Sequence, residues 1–262
     1  MIFANSNRSD LGPKKLTETE FEYLDRSGTE AAQRVRDFLE TWIKEFPEDE
    51  SNEIRARIQS GEQSDFSSAS FEIFLFSVFK QAGCKVIHHP ELENGSNKHP
   101  DFLVTLPDGE EVYVEAVLAS DLTAEEIAAQ KRKNVVLEAL ENDKIPDFFL
   151  LISSNGSSNT SPPSKKLREK VQNWINKLDP DELLKANHTQ ISDFPQLTWT
   201  HEDWSLTITA LPKSPEKRGN SVRNVGSYSD GARWVNIREP LRNAIKDKGK
   251  NMVNWKSLWS LL

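Results

Sequence analysis

The sequence predicts an α/β protein whose central part runs αβββαβ, with a mixed central sheet flanked by helices and an α+β C-terminal extension after it. Three observations carry that expectation. Residues 29–46 and 68–82 repeat apolar side chains at helical spacing. Two apolar arms between residues 101 and 118 alternate about Pro107-Asp108-Gly109, as the strands of a hairpin do. Residues 148–152 form a continuous apolar run of the kind buried on both faces of a sheet.

Taken in order, residues up to about Gly28 are polar and weakly patterned, and we expect a loosely docked arm. A helix over 29–46 gathers Ala32, Val35, Phe38, Leu39, Trp42 and Ile43 on one face, and Pro47 ends it. The helix over 68–82 is expected to turn Phe71, Phe74, Leu75, Val78, Phe79 and Ala82 to the core. Glu72 then lies on the edge of that stripe, and Gly83 is the C-terminal stop. A short strand over 85–89 and a polar loop lead to the hairpin. There Phe102, Val104 and Leu106 share one face, Asp101, Leu103 and Thr105 the other, and the second arm runs over 112–118. Thr123 caps a helix reaching about Asn142, and the apolar strand follows. A Ser/Asn/Pro-rich stretch over 153–163 separates this core from helices over 165–178 and 181–186, a strand over 204–211, a basic Gly/Asn/Ser-rich loop through Gly231 and a last helix over 239–250. The expected division is an N-terminal helical arm (1–65), a core (66–153) and a C-terminal extension (154–262).

A chain of 262 residues, 36% hydrophobic and 28% charged, is long and apolar enough for one large core or two small ones. No apolar run approaches the roughly 18 residues of a membrane span. The opening MIFANSNRSD also lacks the apolar stretch of a signal peptide, so we expect a cytoplasmic protein without a membrane partner. The lone cysteine, Cys84, excludes an intramolecular disulfide. A net charge of -8 gives no overall attraction to nucleic acid. Residues 213–250, however, hold ten Lys or Arg against four Asp or Glu, a stretch that suits phosphates or, equally, a solvated face.

The hairpin raises a chemical question. A type I turn closed by a left-handed Gly109 pairs Leu106 with Glu110, Thr105 with Glu111, Leu103 with Tyr113 and Asp101 with Glu115. A two-residue Asp108-Gly109 loop would set Asp101 opposite Ala116 instead. In the first register two carboxylates face each other with Cβ atoms about 4.5–5.5 Å apart, where like charges destabilise a sheet unless a cation lies between them. A divalent metal meets that need. The bland reading is that Pro-Asp is a turn signal and Glu a common residue.

Helix-borne Glu72, Pro100-Asp101 at a strand start, Glu115 in the next strand and a helix before a fourth strand resemble the PD-(D/E)XK nuclease superfamily over roughly residues 66–153. The resemblance implies a restriction-endonuclease-like fold and a metal-dependent phosphodiester hydrolase acting on DNA, in a restriction or defence setting. It implies Asp101, Glu115 and Glu72 as catalytic carboxylates that bind Mg²⁺ or Mn²⁺, with the backbone carbonyl of Ala116 as a further ligand. Hard oxygen donors suit Mg²⁺, which keeps several waters, one of which can attack a phosphodiester. Gln130, Lys131, Arg132 and Lys133 on the following helix, with Arg218 and Arg223 in the basic stretch, are the expected contacts to the nucleic-acid backbone. A homodimer is compatible with this reading.

Glu115-Ala116-Val117 departs from the superfamily's E-x-K, because valine stands where the lysine belongs. Lys98, Lys131 and Lys133 are the candidates for a migrated lysine. Without one, the alternative is a catalytically degenerate module of this fold that binds nucleic acid or protein. A zinc site of Cys84, His88, His89 and His99 is set aside, since one strand cannot turn Cys84, His88 and His89 to the same side. No G-x-S-x-G elbow supports serine catalysis. Trp199, Trp204 and Trp234 are expected in the interior rather than stacked on bases. The ending MVNWKSLWSLL differs from the helix before it. One synonymous back-translation from Asn251, read from the third base of the first codon, gives YGKLEKPLVIA, and a frameshift after Lys250 is the expectation.

Overall fold

The structure is a computed structural model that describes residues 1–91, 99–120, 122–186, 188–219, 224–229 and 238–252. Lys98, Arg223, Trp234 and the tail beyond Met252 lie outside the described residues. The chain divides into two units, residues 1–121 with 236–262, and residues 122–235.

In the first unit α1 (Glu20–Arg26), α2 (Glu30–Trp42), α3 (Glu48–Ile58) and α4 (Gln63–Gln81) precede β1 (Lys85–His88), β2 (Phe102–Thr105) and β3 (Glu111–Val114). The three strands form an antiparallel sheet in chain order. The second unit holds α5 (Ala124–Glu141), β4 (Phe148–Asn155), α6 (Ser164–Ile175), α7 (Pro180–Lys185), β5 (Gln196–His201), β6 (Trp204–Pro212) and β7 (Val225–Ser229). The chain then returns to the first unit with α8 (Arg238–Met252). Among the described residues no helix is long and apolar enough to cross a membrane.

The expected loose arm is corrected. Thr19 opens α1 with a reciprocal capping box to Glu22, and Ile2 and Phe3 are buried with Leu24, Leu39, Ile54 and Ile73 in one core. Their backbone N–H groups donate to Glu40 Oε1, at 2.9 Å for Phe3, which ties the amino-terminal segment to α2. The boundary drawn at residue 65 therefore runs through a single hydrophobic cluster. Between the two expected helices stands α3, which the periodicity did not announce because Ile54 and Ile58 are its only buried apolar positions.

The predicted face of α4 is also corrected. Phe74 and Val78 are exposed, whereas Phe66, Ala69, Ile73 and Phe76 are buried and carry Glu72 inward with them. The stretch FEIFLFSVF is apolar nearly all round, so spacing alone does not choose a face. The buried face is the one that carries Glu72 toward Arg57 and His88.

The three-residue hairpin loop is present. Gly109 has φ 93°, its N–H donates to the Leu106 carbonyl at 2.9 Å, and Leu106 N–H donates to the Glu110 carbonyl at 2.8 Å. Thr105 faces Glu111, Leu103 faces Tyr113 and Phe102 faces Val114. The order α4-β1-β2-β3-α5-β4 runs along the chain as expected, but not in one sheet. β4 is flanked by antiparallel β6 and parallel β7 in a mixed sheet of order β5-β6-β4-β7. Both of its edges are thereby satisfied. Its buried positions Phe148, Leu150 and Ile152 join Trp204, Leu206 and Ile208 in the core of the second unit.

Candidate metal centre

The site is built on the first unit's sheet from elements that each deliver one or two polar side chains. On α4, Glu72 is only 5% exposed. A carboxylate so placed needs partners, and α3 supplies the strongest. Arg57 grips it as a fork, with Nη1 2.9 Å from Oε2 and Nη2 2.6 Å from Oε1. Burial alone raises the Glu72 carboxyl, but the adjacent His88 ring and the Arg57 guanidinium overcome it and hold the group at about 2.

His88 ends β1 with its side chain inward, 4% exposed, between the rings of Phe46 and Phe102 at 5.2 and 5.3 Å. Its Nδ1 lies 2.9 Å from Glu50 Oε2 of α3. Its Nε2 faces Glu72 Oε2 at 3.6 Å, too far for a hydrogen bond, and has no hydrogen-bond partner among the described residues. His89 is the next residue, and strand alternation would send it to the opposite face. It leaves the strand instead, at φ 44°, and its ring lies 3.8 Å from that of His88, centroid to centroid. Such a conformation is uncommon outside glycine, though histidine adopts it more readily than most residues. Burial, and after it the His88 charge, push the His89 imidazole below its ordinary value, against the opposing pull of Glu53, Glu72 and Asp101. One ligand atom from each of Glu72, His88 and His89 lies within 4.8 Å of the others.

Asp101 stands one residue before β2, and its carbonyl accepts from the His89 N–H at 3.0 Å. Its Oδ2 accepts from the Ala116 N–H at 2.6 Å. The hairpin register, continued one step past Phe102 and Val114, brings Glu115 level with Asp101. Glu115 itself lies just beyond the end of β3 rather than inside a longer strand, since the ladder stops at Val114. Ala116 thus meets Asp101 through its N–H.

The remaining expected residues among those described belong to the second unit. Gln130, Lys131 and Lys133 ride on α5 of the second unit. Gln130 donates to Asn134 at 2.8 Å, and Arg132 Nε donates to the Ser158 carbonyl at 2.9 Å. Lys133 is buried, which corrects its assignment to a phosphate-contacting surface. Arg218 pairs with Asp181 at 2.7 Å, and that partner raises its guanidinium further, so it is engaged within the second unit's own structure. Trp199 and Trp204 are buried in edge-to-face contact at 5.5 Å, as expected of interior packing.

Sequence reasoning set the two histidines aside and did not single out Glu50 or Arg57. Spacing argued against a histidine pair because it assumed a regular strand through residue 89. A legible signal for α3 was present, with Glu48, Asp49 and Glu50 after Pro47 and Arg55 and Arg57 near the end, a charge order that suits a helix dipole. Comparison of the chain with protein-family models, curated proteins and solved structures finds no match.

Proposed function

We propose that this chain is a metal-dependent phosphodiester hydrolase acting on DNA, of restriction-endonuclease-like type, with its reacting centre at the Asp101 and Glu115 end of the β2–β3 hairpin. The observation that supports it best is the 2.6 Å hydrogen bond from Ala116 N–H to Asp101 Oδ2, which fixes the Glu115–Ala116 backbone beside the Asp101 carboxylate in the register that sets the two acids level.

The donor set fits a hard divalent ion, because Asp101, Glu115 and the Ala116 carbonyl are all oxygen ligands. Bound Mg²⁺ or Mn²⁺ would supply an acidified water and charge compensation at the scissile phosphate. The chain's own contribution is positional. Ala116 N–H orients one oxygen of Asp101, the His89–Asp101 backbone bond anchors the strand start, and Glu72 is held rigid by Arg57. On α8 of the same unit, Arg238, Arg242 and Lys246 are exposed and suited to backbone phosphates.

Val117 favours a second reading, a degenerate module that binds nucleic acid without cutting it. A cleavage assay on end-labelled duplex and single-stranded DNA with Mg²⁺ or Mn²⁺ separates the two. Hydrolysis that falls by about a hundredfold or more in Asp101→Asn and Glu115→Gln is expected of the enzyme. DNA retention by wild type with no cleavage under either ion would favour the binding module.

A further inference from the structure

We infer that Glu72, His88 and His89 form a transition-metal site, taking a Zn²⁺- or Co²⁺-class ion through one carboxylate and two imidazole donors. The inference stands whether or not the Asp101 and Glu115 pair is catalytic. It begins from the orphaned His88 Nε2, which is buried, unpaired among the described residues, and aimed at a carboxylate oxygen 3.6 Å away.

With Nδ1 at 2.9 Å from Glu50 Oε2, a neutral His88 donates its single proton to Glu50. With Nε2 unprotonated, as a metal ligand must be, its lone pair faces Glu72 Oε2, an unfavourable contact in a buried place. A cation between the two atoms turns it into an attraction. Bonds of about 2.1 Å to atoms 3.6 Å apart enclose roughly 120°, a value a tetrahedral ion accommodates. The Glu50–His88 pair is also the outer-shell arrangement that metal-bound histidines adopt, a carboxylate holding the ring nitrogen that does not bind.

The other two ligands follow the same logic. Oε1 and Oε2 of Glu72 each take one Arg57 donor, and a carboxylate has lone pairs for more than one partner per oxygen. His89 reaches the cluster only because its backbone turns to φ 44°, and this brings a second imidazole within 4.8 Å of the other two ligand atoms. Local charge suits a dication, since Glu50, Glu53, Glu72 and Asp101 all act on the cluster beside the Arg57 guanidinium. Two nitrogens and one oxygen select borderline ions over Mg²⁺, which prefers oxygen alone.

The test is optical titration of Co²⁺ into the chelator-treated full chain. Visible ligand-field bands saturating at a single equivalent are expected, displaced by Zn²⁺ and surviving about a hundredfold excess of Mg²⁺. His88→Gln and His89→Asn should each weaken Co²⁺ binding by about tenfold or more. Asparagine accepts the left-handed backbone, so His89→Asn decides the question even if the buried His88→Gln variant does not fold. Asp101→Asn should keep the bands while losing any Mg²⁺-dependent cleavage, which separates this site from the hydrolase reading. Absence of bands in wild type, bands unchanged in His89→Asn, or bands lost in Asp101→Asn would overturn the assignment.

Discussion

Two buried charges, Lys213 in the second unit and Glu72 in the first, are partnered in different ways. In the second unit, Lys213 is 1% exposed, but its Nζ donates to the Ile145 carbonyl at 3.1 Å and sits 4.8 Å from the Phe149 ring centroid. The Asn224 amide likewise donates to the Glu141 carbonyl at 2.9 Å. These donors end on the backbone, so they stitch the fold. In the first unit Glu72, His88, Arg57 and Glu50 answer one another side chain to side chain, with one ring nitrogen left over. Burial of a charge is therefore a weak guide to function. What its partners are is a better one.

The sharpest way to break this contrast is to delete one buried charge in each unit. Glu72→Ala takes the forked partner from a half-buried Arg57 that keeps Glu53 and Ser68, and urea unfolding should show a loss of about 3 kcal/mol. Lys213→Met keeps the volume and forfeits mainly one bond to a carbonyl, so the same measurement should change by about 1 kcal/mol. Equal losses would erase the distinction.

Acid unfolding sharpens it next. The Glu72 carboxyl is held at about 2 against an ordinary 4.5, so its contribution is present above 4.5 and is lost as pH falls toward 2. Wild type should therefore lose stability more steeply across that window than Glu72→Gln, monitored by circular dichroism. Parallel curves would show that the Arg57 and His88 contacts do not favour the charged form.

A smaller effect tests the turn that aligns the two acids. No atom lies within 4 Å of a Cβ built on Gly109, so Gly109→Ala meets no clash and costs only the strain of φ 93°, about 1 kcal/mol in thermal melts. A neutral result would mean that the loop relaxes to another turn.

Local rules made much of this legible. Thr123 and Asn142 bound α5 as expected, Gly83 stops α4 at φ 82°, and Pro107-Asp108-Gly109 set the hairpin register. Each is decided by a few neighbouring residues. Sheet membership is not local, and nothing within residues 148–152 announces that β4 is enclosed by β6 and β7. The site divides in the same manner. Asp101 and Glu115 stood out against an apolar hairpin and Glu72 entered through the resemblance alone, whereas the histidine pair depends on one backbone angle at His89 that strand spacing cannot anticipate.

The central claim is that the carboxylate end of the β2–β3 hairpin holds a divalent ion, and calorimetric titration of Mn²⁺ into the full chain and into Asp101→Asn tests it most directly. Wild type should show saturable binding, with at least one binding event missing or weakened by about tenfold or more in the variant. Identical isotherms for the two proteins, or no saturable heat in wild type, would contradict it.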